Sequence, residues 1–422
     1  MLDAIDELGE LDNTLVLWIW GDNGASLEGT VTGSFNELTM QNGIPLTDEM
    51  QLQLSERYGG IEALGNQMMA PHYSAAWAWA GNTPFRWGKQ VSSHLGGTRN
   101  PLVVHWPEMI SDRGDLRTHV THVIDIAPTI LDIAGIPAPT HVDGIEQRPM
   151  HGVTFADSMT DPDAPERHTQ QYFETIGNRA MYKDGWWLSM KTARIPWVLT
   201  PDALKPYAPG VWDPDLDPVE LYYLPDDYSQ ARDLAAEHPD KVQELKDLFW
   251  QEAEQYDVLP LMAPLAGFFD MVPPLPKIAK HAFRGDVQNV LSGMIPRIYN
   301  HSYAITAELV IPAGGGEGVI VAEADHLGGF SLFVDDGVDD RPVGHGRMDH
   351  TVPIRFSGYA GMDIGRDNGG VVDLSYERRK PFAFTGTIKQ VVFDIDPHES
   401  TEDAHELHAA THQGHTGHAL TA

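Results

Sequence analysis

The 422-residue chain contains no cysteine. That excludes disulfides, thiolate metal sites and a cysteine nucleophile. Positive charge is scarce as well: 28 Lys and Arg stand against 61 Asp and Glu, a formal net charge of −33. Such a surface repels phosphate backbones and anionic lipid, which argues against nucleic-acid and membrane partners. It favours solubility and suits a salty environment. It gives no long-range pull on anions, so a sulfate or phosphate ester would need a local positive site. No apolar run reaches the ~18–20 residues that span a bilayer. Met1–Asp12 carries acids and no basic segment, so it does not read as a secretory signal, and the expected setting is cytoplasmic. No internal repeat is visible.

What is present is enough for sizeable cores: hydrophobic residues make up 42% of the chain, and the length predicts two or three domains. Leu2, Ile5 and Leu8 lie at helical spacing, and the apolar run Thr14–Trp20 reads as a strand buried on both faces, as in a parallel sheet. A helix over Thr47–Tyr58, a strand over Leu102–Trp106 and a helix over Val120–Ala134 complete an α/β block, 1–160. A small α+β block, 161–265, follows, with strands near Tyr172, Trp186 and Glu220 and an amphipathic helix over Lys241–Tyr256. Residues 266–299 read as a linker rich in proline. Residues 300–396 read as an antiparallel sandwich, with strands at His301–Ile311, Gly318–Glu323, Phe330–Val334, His350–Phe356 and Phe384–Phe393. Residues 397–422 form a polar, His-rich tail expected to be disordered.

Gly21-Asp22-Asn23-Gly24 ends the first strand, the place where ligand sites of open α/β sheets collect. Asp22 and Asn23 offer hard oxygen donors suited to Ca²⁺ or Mg²⁺. By itself the tetrapeptide is most often an ordinary turn, and two ligands do not complete a shell of six or more oxygens. Lys89 is a point charge suited to an ester oxyanion, or else a solvated loop lysine. Gly96 and Gly97 permit close backbone approach. Arg99 either clamps a carboxylate or, the favoured reading, holds that loop. His94 is a candidate general acid or polar contact. Histidines 398–418 could bind metal adventitiously, and Asp335-Asp336 with Asp339-Asp340 reads as a solvated acidic turn.

Taken in order, several stretches resemble the bacterial type I arylsulfatases. They are Asn13–Val16 with Gly21–Gly24, Trp77–Ala80, Pro84–Val91, Ser93–Arg99, Val123–Leu131, Phe173–Thr175 and Glu220–Tyr222. The resemblance implies an alkaline-phosphatase-like α/β fold and metal-dependent sulfate ester hydrolysis. It implies one divalent ion, usually Ca²⁺, with Asp22 and Asn23 among its ligands, and Lys89 touching the sulfate of a small-molecule ester. It also implies a formylglycine nucleophile made from a cysteine in Cys-x-Pro-x-Arg, a motif this sequence lacks. The expectation is therefore the C-terminal portion of such an enzyme: a truncated sulfatase core, a small α+β subdomain and a β-sandwich extension. On that expectation the chain is inactive alone and would complement a missing N-terminal half. The sheet would expose an apolar edge near Trp18 and Trp20, and the sandwich would be shortened at Asp335–Gly344. The alternatives are a non-catalytic fragment, a carbohydrate-binding remnant, or a phosphonate or phosphodiester hydrolase of the same superfamily.

Overall fold

The computed structural model describes residues 1–42, 44, 46–112, 114–198, 206, 211–261, 279–291, 294–299, 301–335, 352 and 355–399. The expected shortening beyond Asp335, most of the strand expected at His350–Phe356, the core of the proline-rich linker and the His-rich tail lie outside the described residues. The chain forms two compact units.

The first unit comprises Met1–Glu28, Ala76–Val198 and the described residues that follow as far as 261. Strands β1 (Val16–Ile19) and β2 (Leu102–His105) pair antiparallel, with Trp18 opposite Val103. This corrects the expectation of a doubly buried parallel strand. Among the described residues β1 has only β2 beside it, so Trp18 and Trp20 remain 53% and 70% exposed, stacked on each other at 6.3 Å. A short hairpin, β3 (His141–Val142) and β4 (Ile145–Glu146), follows the helix Ile126–Ile133.

Four strands then form one antiparallel sheet in sequence order: β5 (Gln170–Thr175), β6 (Asn178–Lys183), β7 (Trp186–Met190) and β8 (Val219–Tyr223). Two-residue turns with positive φ at both positions, Ile176-Gly177 and Asp184-Gly185, join the first three, matching the twist of the strands they connect. Alternation by two sends Met181, Leu188 and Leu221 to one face, where Leu245, Phe249 and Ala253 of the helix Pro239–Gln255 cover them. Tyr182, Trp187 and Tyr222 go to the other face and pack on Leu95 and Phe85. Each large side chain so buried stabilises by about 1.5–3 kcal/mol. The second face carries the loop of interest for function.

The second unit comprises Gly29–Ala75 and the described residues from 279 onward. Two antiparallel sheets share one core. One runs β10 (Val287–Val290), β14 (Met362–Ile364), β12 (Gly318–Glu323), β13 (Phe330–Val334), and the other β11 (His301–Val310), β15 (Thr387–Glu399), β9 (Lys280–Phe283). Val321, Met362 and Ile364 of the first meet Val391, Phe393 and Ile395 of the second. Lys280–Phe283 and Val287–Val290 are thus strands and not linker: alternate positions of Lys280–Phe283 turn inward, a period hidden by the polar residues between them. Gly29–Ala75, expected in the α/β block, pack with this unit instead. Asn36 Nδ2 donates to Leu327 O at 2.9 Å, and Asn42 Nδ2 to Arg355 O at 3.0 Å. No helix among the described residues is long and apolar enough to cross a membrane.

Candidate functional site

Three separate stretches of the first unit converge: the turn after β1, the loop Arg86–Gln90 and the short helix Leu95–Thr98. They approach backbone to backbone. A Cβ on Gly24 would lie 1.6 Å from Gly96 O, and one on Gly96 would lie 2.0 Å from Arg86 O, so neither position accepts a side chain. Gly24 N donates to Gly97 O at 3.2 Å and Lys89 N to Ala25 O at 3.0 Å. Asn82 ties all three stretches together. Its Nδ2 donates to Trp87 O at 2.7 Å and to Gly96 O at 3.0 Å, and its Oδ1 accepts from Ala25 N at 3.0 Å. Asn82 does not stand out by residue type; its signal is an amide at the end of the Trp-bearing helix Ala75–Asn82, just ahead of the Lys89 loop.

Asp22 is exposed and accepts from Asn23 Nδ2 at 2.7 Å. Lys89 Nζ pairs with Glu28 Oε2 at 2.8 Å. Gln90 Nε2 also donates to Glu28, and the Arg194 guanidinium donates to Gln90 Oε1. Burial pushes the Glu28 carboxyl up, but its bonds from Lys89, Gln90 and Ser26 and the Lys89 charge outweigh that and hold it below its ordinary range. Lys191 Nζ lies 4.2 Å from the centre of the Trp87 ring and donates to Thr192 O at 2.6 Å. Burial, then the Arg194 charge, brings its ammonium down to about 8. Trp87 itself stacks on Trp197 at 6.1 Å.

His94 is fully buried, not open to a substrate. The candidate general acid is therefore part of the scaffold. Its Nε2 lies 2.8 Å from Glu220 Oε2 and its Nδ1 3.0 Å from Ser93 Oγ. Glu220 also receives Arg86, at 3.2 and 3.4 Å, and the Tyr222 hydroxyl at 2.8 Å. The His94 bond, against burial, and then Tyr222 and the Arg86 charge hold Glu220 down at about 2. Burial outweighs Glu220 at His94 and lowers it, so the imidazole is neutral, with Nε2–H donating to Glu220 and Nδ1 accepting from Ser93. The loop is fixed further by Gln230 Oε1, which accepts from Leu95 N at 2.7 Å, and by Ser93 O, which accepts from Trp187 Nε1 at 2.9 Å. Arg99 is exposed and lies over the Phe85 ring at 5.1 Å. Gly96 and Gly97 are buried.

The arrangement joins a carboxylate and an amide oxygen to a lysine across one backbone seam. Among the described residues no group of three or more His, Asp or Glu side chains could hold a metal ion. Asp22 and Asn23 do not amount to a Ca²⁺ shell by themselves.

Residues 1–136 match the family model for the sulfatases. That span, about a third of the chain, contains Asp22, Asn23, Lys89, His94, Gly96, Gly97 and Arg99. A curated relative, an uncharacterized sulfatase of Schizosaccharomyces pombe, is 29% identical over 252 residues, 59% of this chain and 39% of the relative. The chain thus spans about two fifths of the length of that relative. A solved protein from work on glycosaminoglycan metabolism by Bacteroides thetaiotaomicron is 18% identical, covering 59% of this chain and 41% of its own, with a TM-score of 0.37. Another, solved with its substrate D-glucosamine-2-N,6-O-disulfate, is 16% identical, covering 61% and 38%, with a TM-score of 0.34. Scores in that range carry no weight for the fold.

Proposed function

We propose that this chain supplies the Lys89 and Asp22-Asn23 part of a sulfate ester hydrolase site, on an arylsulfatase-like enzyme whose nucleophile these 422 residues do not contain. The observation that supports it is the seam itself: Gly24 against Gly96, with Lys89 N bonded to Ala25 O, places the turn carrying Asp22 and Asn23 beside the lysine loop. In this reading Lys89 contacts the sulfate, and Asp22 and Asn23 give two oxygens to a Ca²⁺ or Mg²⁺ ion whose other ligands lie elsewhere. The formylglycine-bearing half is a second part, acting with this chain on a small sulfate ester in the cytoplasm. Lys89 is shared with Glu28, so an anion binds there only by competing with a carboxylate at 2.8 Å.

The absence of cysteine favours a second reading, binding without turnover, as a non-catalytic fragment or carbohydrate-binding remnant. A phosphonate or phosphodiester substrate would use the same lysine. Hydrolysis of a chromogenic aryl sulfate with Ca²⁺ present, beside calorimetric titration with inorganic sulfate, separates these readings. The proposal expects sulfate binding that Lys89→Ala abolishes, and no turnover by the chain alone. Turnover that Asp22→Ala removes would overturn the claim that the nucleophile lies elsewhere. Sulfate binding indifferent to Lys89 would overturn the site.

A further inference from the structure

Two histidines away from the candidate site stand side by side in the first unit: the rings of His122 and His168 stack at 5.9 Å, 28° apart. Their hydrogen bonds assign them different charges. His168 is buried, with Nδ1 2.9 Å from Asp125 Oδ2 and Nε2 3.1 Å from Gln171 Oε1. The Asp125 carboxylate also accepts from His122 N and Val153 N, each at 2.8 Å. A carboxylate can only accept, so His168 Nδ1 carries a proton. Gln171 is oriented by its own Nε2, which donates to Tyr172 O at 2.7 Å, so its oxygen faces His168 and Nε2 there must donate too. With both nitrogens donating, His168 is an imidazolium. His122 is the reverse. Its Nδ1 accepts from Ile124 N at 3.4 Å, capping the turn Val123–Asp125 that opens the helix Ile126–Ile133, so the ring is neutral.

We propose that His122 and His168 form a pH-sensitive latch, closed with one ring charged and one neutral, and released when His122 takes up a proton. That proton removes the acceptor for Ile124 N–H and sets a second positive ring 5.9 Å from the first. The contacts run on to the candidate site. The His122 ring meets Phe173 at 5.6 Å, Phe173 meets Trp187 at 4.9 Å, and Trp187 Nε1 donates to Ser93 O at 2.9 Å. Release therefore loosens the support of the Ser93–Arg99 loop.

Few other charges face the pair. Glu166 is occupied by the Tyr182 hydroxyl at 2.8 Å and Val120 N at 3.2 Å. Arg167 and Asp157 neutralise each other at 2.6 Å, and His119 Nε2 lies 2.6 Å from Ala164 O. Phe173 presents no charge. Burial, then the His168 charge, lowers His122 from its ordinary 6.5. Burial opposes His168 too, but the Asp125 bond and charge more than reverse it and raise that ring. The signs then follow. The His168 pair stabilises fully below 6.5 and is lost as pH rises through its higher folded value. His122 costs stability as pH falls below 6.5, because the unfolded chain then binds the proton more readily. The latch is tightest near 6.5 and opens on the acid side through His122.

The test uses the full chain labelled with ¹⁵N-histidine. One ring should remain doubly protonated at about pH 7, where an ordinary histidine is mostly neutral, and its signal should vanish in His168→Gln. Amide protection of Leu95–Thr98 should fall as pH drops below about 6.5, by up to about tenfold for each unit of pH until His122 is charged. His122→Asn keeps a capping oxygen without a titrating ring and should abolish most of that fall. Absence of a doubly protonated ring in the wild-type chain at about pH 7 would overturn the proposal whether or not the variants fold. So would an equal loss of protection in His122→Asn.

Discussion

Replacing Glu323 by glutamine should make the strand-rich unit more resistant to alkali. Glu323 lies on β12, only 2% exposed, with Phe330 and Met362 as its strand neighbours, and its Oε2 has no hydrogen-bond partner. Burial raises the carboxyl from an ordinary 4.5 to about 8, and the Tyr299 hydroxyl bond recovers only part of that. Between those values the unfolded chain has released the proton and the folded chain has kept it. Stability therefore falls as pH rises through that window and levels off above it. At about 1.4 kcal/mol per unit of pH, the total is on the order of 4–5 kcal/mol, a large share of the roughly 5–15 kcal/mol that stabilises an ordinary domain. Glutamine keeps the shape, carries no proton to lose, and can still accept from Tyr299. Urea unfolding of both proteins from about pH 5 to about pH 9 reads the difference. The two should be similar at the acid end, and the variant should gain by several kcal/mol at the alkaline end. Parallel profiles would show that Glu323 reaches water and that its burial carries no proton linkage.

Asn82→Ala should cost about 2–4 kcal/mol, because it leaves Ala25 N, Trp87 O and Gly96 O without their side-chain partner; thermal unfolding of the first unit reads this, and a change within experimental scatter would mean the seam holds through its glycines alone. With a net charge of −33, the fold should gain thermal stability on going from about 0.1 M to about 1 M NaCl, as screening shortens from about 10 Å to about 3 Å; a salt-independent melting temperature would count against self-repulsion as a leading cost. Glu28→Gln should tighten inorganic sulfate binding at Lys89 by a few fold, since a half-exposed ion pair competes with at most about 1 kcal/mol; weaker binding in calorimetry would show that Glu28 positions the lysine instead of competing for its ligand.

The elements most legible in the sequence were those whose period is local. The helix expected at Lys241–Tyr256 is observed as Pro239–Gln255, and Gly318–Glu323 and Phe330–Val334 form strands with the expected bounds. What failed depended on neighbours. The Thr14–Trp20 run carries the apolar content of a doubly buried strand, but burial is decided by what lies alongside, and β1 has one partner among the described residues. Lys280–Phe283 and Val287–Val290 are too short and too polar to stand out until β15 and β14 pair with them. In the site, Asp22, Lys89 and Gly96 could be picked out because their residue types are chemically suggestive. Glu28 and Asn82 could not, since they act through partners 61 and 14 residues away, and Glu220 stood out only as part of the stretch Glu220–Tyr222, without its bond to His94, 126 residues away.

That division has a physical reason. The groups that shape the seam are engaged within the fold: His94, fully buried, between Ser93 and Glu220, Asn82 across three backbone stretches, and Gly24 against Gly96. Of these His94 reads as catalytic by residue type, yet both its ring nitrogens are engaged, with Glu220 and Ser93. Among the described residues of the seam, the Asp22 carboxylate is exposed and the Lys89 ammonium is half-exposed and shared with Glu28. A polar side chain buried with all its bonds made costs little to keep and much to remove, so the scaffold persists whether or not a nucleophile acts beside it. Measurements of stability report on Asn82 and Glu220, whereas the proposed roles of Lys89 and Asp22 are tested by anion and cation binding.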